Sequence, residues 1–318
     1  MSTSSAAPRG PFRLRASLAD RIGEPSLRTL TAVSALGVVL LILWIAETVV
    51  NQSSTAVSQL GIGFLGHQVW DPNHNIFGAL DFILGTLVSS FIALLIATPT
   101  AIAISIYLTE LAPRAIRRPV AILVELLAAI PSVILGLWGL LVLGPFLTNH
   151  LEPFLKSFLA WTGIFNGTPS PVGMLNAALI LTIMALPIVT AITREVFETT
   201  PRDLKEAAYA MGATRTEMIR MVVLPLARPG LVGAVILGVG RAIGEAIAVT
   251  QVIGNASQFQ ASLFAPSGTL AAQIASEFQG ANPGLWQSSL MYLALILLVI
   301  SLVVNILGRL MVRRTAVH

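Results

Sequence analysis

Six long apolar runs decide what this chain can fold into. They lie at about Leu30–Val50, Leu80–Leu108, Val120–Leu143, Met174–Ile192, Leu231–Ile253 and Leu285–Leu307. About 20 consecutive apolar residues make a helix long enough to cross the hydrocarbon core of a bilayer. The pattern predicts an all-α, polytopic membrane protein with six transmembrane helices. The second run is long enough to tilt or to pass beyond the bilayer. Of the 318 residues, 55% are hydrophobic and only 11% charged, with a mean hydropathy of +0.83. Soluble proteins carry roughly 25% charged residues, so an ordinary globular enzyme is excluded. The first run is too long and begins too late for a cleaved signal peptide.

Arginine sets the orientation. Arg9, Arg13, Arg15, Arg21 and Arg28 precede the first run. Arg114, Arg117 and Arg118 lie between the second and third. Arg194, Arg202, Lys205, Arg215, Arg220 and Arg228 lie between the fourth and fifth, and Arg309, Arg313 and Arg314 follow the sixth. Of lysine and arginine, the alternate loops hold Lys156 alone. By the positive-inside rule both termini are cytoplasmic, and so is the polar stretch Glu206–Pro225. The same distribution accounts for a pI near 10.1 without nucleic acid. The external loops are then Asn51–Ala79, Gly144–Gly173 and Gly254–Gly284. Trp70, Trp161 and Trp286 stand near their boundaries, as an aromatic belt would. These loops are rich in Gly, Pro, Asn and Ser, and two readings stand side by side: plain connection, or docking of an external partner.

The stretch Glu206–Pro225 is the most distinctive polar segment. Thr200-Pro201-Arg202-Asp203 has the form of a capping box that starts a helix, with Pro201 at its first position. Gly212 supplies a left-handed turn that ends this helix near Met211. Thr214-Arg215-Thr216-Glu217 repeats the capping box and starts a second helix. Pro225 and Pro229 then precede the fifth span. Ala207 and Ala208 give a surface of little bulk, which another protein's groove can approach. A connector lying on the lipid surface is the plainer reading.

Two further absences bear on chemistry. There are no cysteines, and His67, His74, His150 and His318 show no HxxxH or HExxH spacing, so neither a metal site nor a cofactor is expected. No catalytic constellation is present, and no residue is assigned a catalytic role. A P-loop needs a Gly-Lys pair, yet neither Lys156 nor Lys205 follows a glycine. Any ATP-driven step therefore needs a motor on another polypeptide.

Glu206-Ala207-Ala208, three residues, Gly212, and Leu224-Pro225 resemble the EAA loop of ABC importer permeases in both identity and spacing. In that family the element seats in a cleft of the ATP-binding subunit. Other segments are similar to phosphate importer permeases of the PstC type. They are Trp70-Asp71-Pro72 with Phe77-Gly78-Ala79-Leu80 and Gly85-Thr86-Leu87, the run from Ile130 to Gly139, and the run from Gly240 to Ala246. The resemblance covers the chain after about residue 30. It implies a type I importer permease fold and a passive, non-enzymatic subunit of the bacterial inner membrane. Its partners would be a cytoplasmic ATP-binding subunit in two copies, a second permease, an extracytoplasmic phosphate-binding protein and membrane lipid. A permease for sulfate or molybdate, and the sister phosphate permease, remain alternatives. Residues 1–27 form a basic tail, 28–312 the permease domain with the coupling loop at about 199–228, and 313–318 a C-terminal tail.

Two charges lie within the fifth run. Arg241 is twelve residues beyond Pro229, roughly 18 Å up a helix and near the middle of a core about 30 Å thick. Glu245 lies one turn further on the same face. The pair is either a structural tie or part of an anion path, since a guanidinium can meet phosphate through two parallel hydrogen bonds. Gly240 and Gly244 form a GxxxG pair suited to close helix packing. Glu125 is read as structural, snorkelling or pairing with an arginine. Pro99, Pro131 and Pro187 are candidate kinks in spans two, three and four.

Overall fold

The computed structural model describes residues 18–316. Arg9, Arg13, Arg15 and His318 lie outside them. The chain forms two compact units that divide after Thr48. Residues 18–48 of the first unit are helical and belong to α1 (Leu18–Leu60). Leu30, Leu36, Leu40, Leu43 and Trp44 are all exposed, as on a helix that meets lipid.

The second unit contains α2 (Leu80–Leu111), α3 (Arg114–Ala129), α4 (Ser132–Thr162) and α5 (Met174–Glu198). It continues with α6 (Arg202–Ala210), α7 (Arg215–Gly244), α8 (Ile247–Val252), α9 (Leu270–Glu277) and α10 (Leu285–Ala316). Among the described residues no β-strand forms, and only the isolated bridges Asp71–Ile76 and Gly254–Ser267 appear. Among the described residues six helical segments are long and apolar enough to cross a membrane.

The helix α5 is the centre of this unit and packs against α2, α3 and α7. Its sequence explains why. Small residues on α2, Ala93, Ala97, Ala101 and Ser105, recur every four positions and form one buried stripe against it. Between helices in lipid the drive comes from close packing and polar contacts, because the surroundings are as apolar as the side chains. The Ser105 hydroxyl donates to the Thr190 carbonyl at 3.0 Å, and the Thr182 hydroxyl donates to that of Ala93 at 3.3 Å. From the other side, Gly230 and Gly238 of α7 let Val196 and Val189 of α5 approach. A Cβ at Gly230 would lie 2.5 Å from a Val196 methyl.

Two spans differ from expectation. The expected third span, Val120–Leu143, is two helices in tandem. Ile130 takes φ −68°, ψ 126°, since the residue before a proline is pushed out of the helical region. Beyond Pro131, α4 continues well past Leu143 to Thr162. Pro99 and Pro187, by contrast, lie inside helices that continue through them. The expected fifth span, Leu231–Ile253, is shifted: α7 already starts at Arg215 and stops at Gly244, where Glu245 turns extended with ψ 117°. The remaining spans start or end beyond the apolar runs, because polar flanks prolong a helix past the hydrocarbon that hydropathy detects.

The segment after α8 is not an open loop. Leu263, Phe264, Ser267 and Leu270 are buried. The backbone N–H of Leu175 donates to the Leu263 carbonyl at 2.8 Å, and that of Leu270 to the Thr86 hydroxyl at 2.9 Å. Irregular backbone at such a place is tolerated because protein, not lipid, surrounds it. Trp70 is likewise no belt residue. It is buried edge-on to Phe77 and Phe82, and its indole N–H donates to Glu277 at 2.9 Å. Trp286 donates to the same carboxylate oxygen at 3.0 Å, which ties two distant loops together. Trp161 is exposed.

Candidate functional site

The coupling segment begins differently from its sequence pattern. Pro201 is the cap of α6, and no side chain caps that end. Thr200 instead lies just past the end of α5, where its N–H donates to the Phe197 carbonyl at 3.3 Å. Gly212 takes φ +85°, the left-handed turn that stops the helix. The second capping box is real. The Thr214 N–H donates to the Glu217 carboxylate at 2.7 Å, and the Glu217 N–H donates to the Thr214 hydroxyl at 3.4 Å. It opens α7 itself, not a separate short helix. Leu224 and Pro225 therefore sit inside α7, just after a widened π-turn at Ile219–Val223. A π-turn frees backbone groups, which suits a following proline that has no N–H to give.

The two alanines of the EAA element face opposite ways. Ala208 is 5% exposed and packs among Phe197, Met218, Val223 and Ala227. Glu206, Ala207 and Ala210 are exposed. The face open to another protein is therefore the one bearing Glu206, Ala207 and Ala210. Ala208 is small so that α6 can lie close on α5 and α7.

Arg241 and Glu245 come together as their spacing suggests, with 3.2 Å between guanidinium and carboxylate. Their exposures are unequal: the arginine side chain is 45% exposed, the glutamate 5%. Glu245 also accepts the N–H of Ala248 at 3.2 Å. The carboxylate thus spans the gap between α7 and α8, and it holds one side of a guanidinium whose other side is open. Arg241 lines a cavity of about 270 Å³ together with Leu127, Ala128, Leu135, Met184 and Ile188. Met184 is ten residues from the start of α5 and Ile188 ten from its end. At 1.5 Å per residue the cavity lies roughly 15 Å from either end of that helix. So Arg241 stands at mid-height, even though Pro229 is interior to α7 and does not mark where the membrane begins. The cavity lies beside two helix interruptions: Ile130, before Pro131, lines it, and Arg241 stands one turn before the break at Glu245.

Among the described residues Gly240 and Gly244 meet no neighbour: apart from their own helix's backbone, no atom lies within 4 Å of a Cβ placed on either. They share the open side of α7 with Arg241. The tight glycines lie elsewhere. Gly136 of α4 meets the Ala248 backbone of α8, where a Cβ would be 2.8 Å from the Ala248 Cα. Glu125 pairs with Arg194 at 3.5 Å, and Arg194 also faces Glu198 at 3.6 Å.

Three buried carboxylates escaped the sequence reading. Glu110 pairs with Lys205 at 2.6 Å. Glu152 accepts the N–H of Ser170 at 2.8 Å. Asp81 is buried near the start of α2. An acid close to the end of an apolar run was the only signal, and exposed acids there look the same. Among the described residues no group of three or more His, Asp and Glu is placed to hold a metal ion.

Residues 101–317 match the family of binding-protein-dependent transport system inner membrane components. The phosphate transport system permease protein PstC of Mesorhizobium japonicum is 46% identical, over 89% of this chain and 88% of its own. The chain belongs to this family, among its PstC-type members. PstC of Pasteurella multocida is 43% identical, over 93% of this chain and 94% of its own. PstC 1 of Mycobacterium tuberculosis is 33% identical, over 95% and 96%. In fold, a bacterial alginate ABC transporter, crystallised with an alginate pentasaccharide-bound periplasmic protein, matches with TM-score 0.60. That match covers 93% of this chain and 97% of that one at 18% identity, so the likeness is one of architecture alone.

Proposed function

We propose that this chain is the passive permease subunit of an ATP-driven importer and forms, with a second permease, the path of inorganic phosphate into the cytoplasm. The observation that carries the reading is Arg241: a half-exposed guanidinium at mid-height, opening on a cavity and held from behind by Glu245. A guanidinium binds a phosphate oxyanion through two parallel N–H···O bonds. Glu245 keeps that grip weak enough for release, which a transport site requires. The identity to PstC permeases supports phosphate as the cargo.

In this reading α6 and both termini face the cytoplasm of a bacterial inner membrane, as the arginine distribution implies. Two ATP-binding subunits hydrolyse ATP, and one seats on Glu206, Ala207 and Ala210. Gly212, Leu224 and Pro225 shape the turn and the start of α7 that carry its motion. Gly240 and Gly244 face the second permease. An extracytoplasmic phosphate-binding protein delivers the anion to the opposite end. The chain itself performs no catalysis and binds no nucleic acid.

The test is phosphate uptake into proteoliposomes holding this chain, its sister permease, the ATP-binding subunit and the binding protein. Uptake should require ATP and persist in excess sulfate. Uptake driven by an ion gradient without ATP, or abolished by sulfate, would contradict the reading.

A further inference from the structure

We propose that the ion pair between Lys205 and Glu110 is a strut through which the ATP-binding subunit moves α2 and α3 as well as α7; this rests on the docking of that subunit at α6. Lys205 lies one residue before the EAA element, and its ammonium is 2.6 Å from the Glu110 carboxylate in the last turn of α2. Both side chains are largely buried, at 19% and 9% exposure. Beside its short link to α5 through Thr199–Pro201, α6 has two further holds. Its apolar face rests through Ala208 on a cluster that includes Ile102 and Ile106 of α2, and such contacts allow sliding. Its chain link to α7 is the Gly212 turn, around which a Cβ would find open space. A buried ion pair has one good geometry, so it fixes the register of α6 on α2 where the apolar contact does not.

From Glu110 the connection continues. One residue before it, the Thr109 carbonyl accepts the Arg117 guanidinium at 2.7 Å, which fastens the start of α3 to the end of α2. The far end of α3 supplies Leu127 and Ala128 to the wall of the Arg241 cavity. Arg117 and Leu127 are ten residues apart in α3, roughly 15 Å along the helix, which matches the depth of the cavity along α5. Close to that far end, Glu125 of α3 meets Arg194 of α5 at 3.5 Å. A shift of α6 therefore reaches the cavity from two sides: through α7 to Arg241, and through Lys205, Glu110 and α3 to the facing wall. Lys205 and Glu110 are positioning residues in this scheme, since neither touches the anion.

The experiment uses the full reconstituted complex and reads phosphate imported per ATP hydrolysed. Lys205→Met and Glu110→Gln should leave ATP hydrolysis and co-purification of the ATP-binding subunit in place. Phosphate per ATP should fall at least tenfold, and the swap Lys205→Glu with Glu110→Lys should restore most of it. A merely structural pair would lower assembly and uptake together and leave the ratio unchanged. An unchanged ratio in the single variants, or no recovery in the swap, overturns the strut. If the single variants fail to assemble, the double variant Lys205→Met with Glu110→Met leaves no unpaired charge. It should assemble uncoupled, and normal coupling in it overturns the strut equally. Failure of docking at α6 is read separately, as the absence of a crosslink from Ala207→Cys to the ATP-binding subunit in an active complex.

Discussion

A lone charge at the middle of a bilayer costs at least about 2.5–3.5 kcal/mol on insertion scales. Arg241 meets that cost with Glu245 one turn away, and Glu245 in turn is fixed by the Ala248 N–H. The role assigned to each follows from its exposure: the buried acid orients, and the open arginine binds. Arg241→Gln should abolish phosphate uptake while the complex still assembles. Arg241→Lys should also be impaired, because an ammonium keeps the charge but loses the two parallel donors. Glu245→Gln keeps an oxygen for the Ala248 N–H and removes only the charge. Uptake in that variant should fall at least about tenfold, a difference of about 1.4 kcal/mol, measured with radiolabelled phosphate.

Helices show what spacing can and cannot tell. The six spans were legible because each buries or exposes some 20 apolar residues, and nothing in a soluble fold produces that run. Their ends were not, because polar flanks continue a helix beyond the hydrocarbon. Pro131 breaks its span, while Pro99 and Pro187 lie inside helices that continue through them. The box at Thr214–Glu217 formed, whereas Thr200 bonds back to Phe197 of α5 through its N–H and caps nothing with its side chain. Glycines divide in the same way. Gly136→Val should force α4 from α8, since its Cβ would fall 2.8 Å from the Ala248 Cα. Overpacking of this kind costs roughly 1–3 kcal/mol, visible as an earlier thermal midpoint in detergent. Gly240→Ala faces open space among the described residues and should change the stability of the isolated subunit by less than about 0.5 kcal/mol, read from its thermal midpoint. Gly240→Leu should spare the isolated subunit and weaken its pairing with the second permease.

At the scale of the whole chain, the proposed coupling element precedes the start of α7 and the proposed anion site lies at its end, while α5 packs along α7 between them. The EAA spacing and the Arg241–Glu245 pair were both legible. The sequence did not reveal that Ala208 turns inward, that Glu110 anchors α6, or that the segment beyond α8 is buried structure. Each depends on contacts between residues far apart in the chain: Ala208 with Phe197, Glu110 with Lys205, Leu270 with Thr86. Cysteine crosslinking should reflect the inward turn, with Ala207→Cys joining the ATP-binding subunit and Ala208→Cys doing so far less. The most direct test of the account is ATP-dependent phosphate uptake by proteoliposomes carrying the complete complex, with Arg241 or with Arg241→Gln. The account predicts accumulation with the arginine and none with the glutamine, in complexes that assemble and hydrolyse ATP alike. Wild-type uptake by the glutamine variant would contradict it.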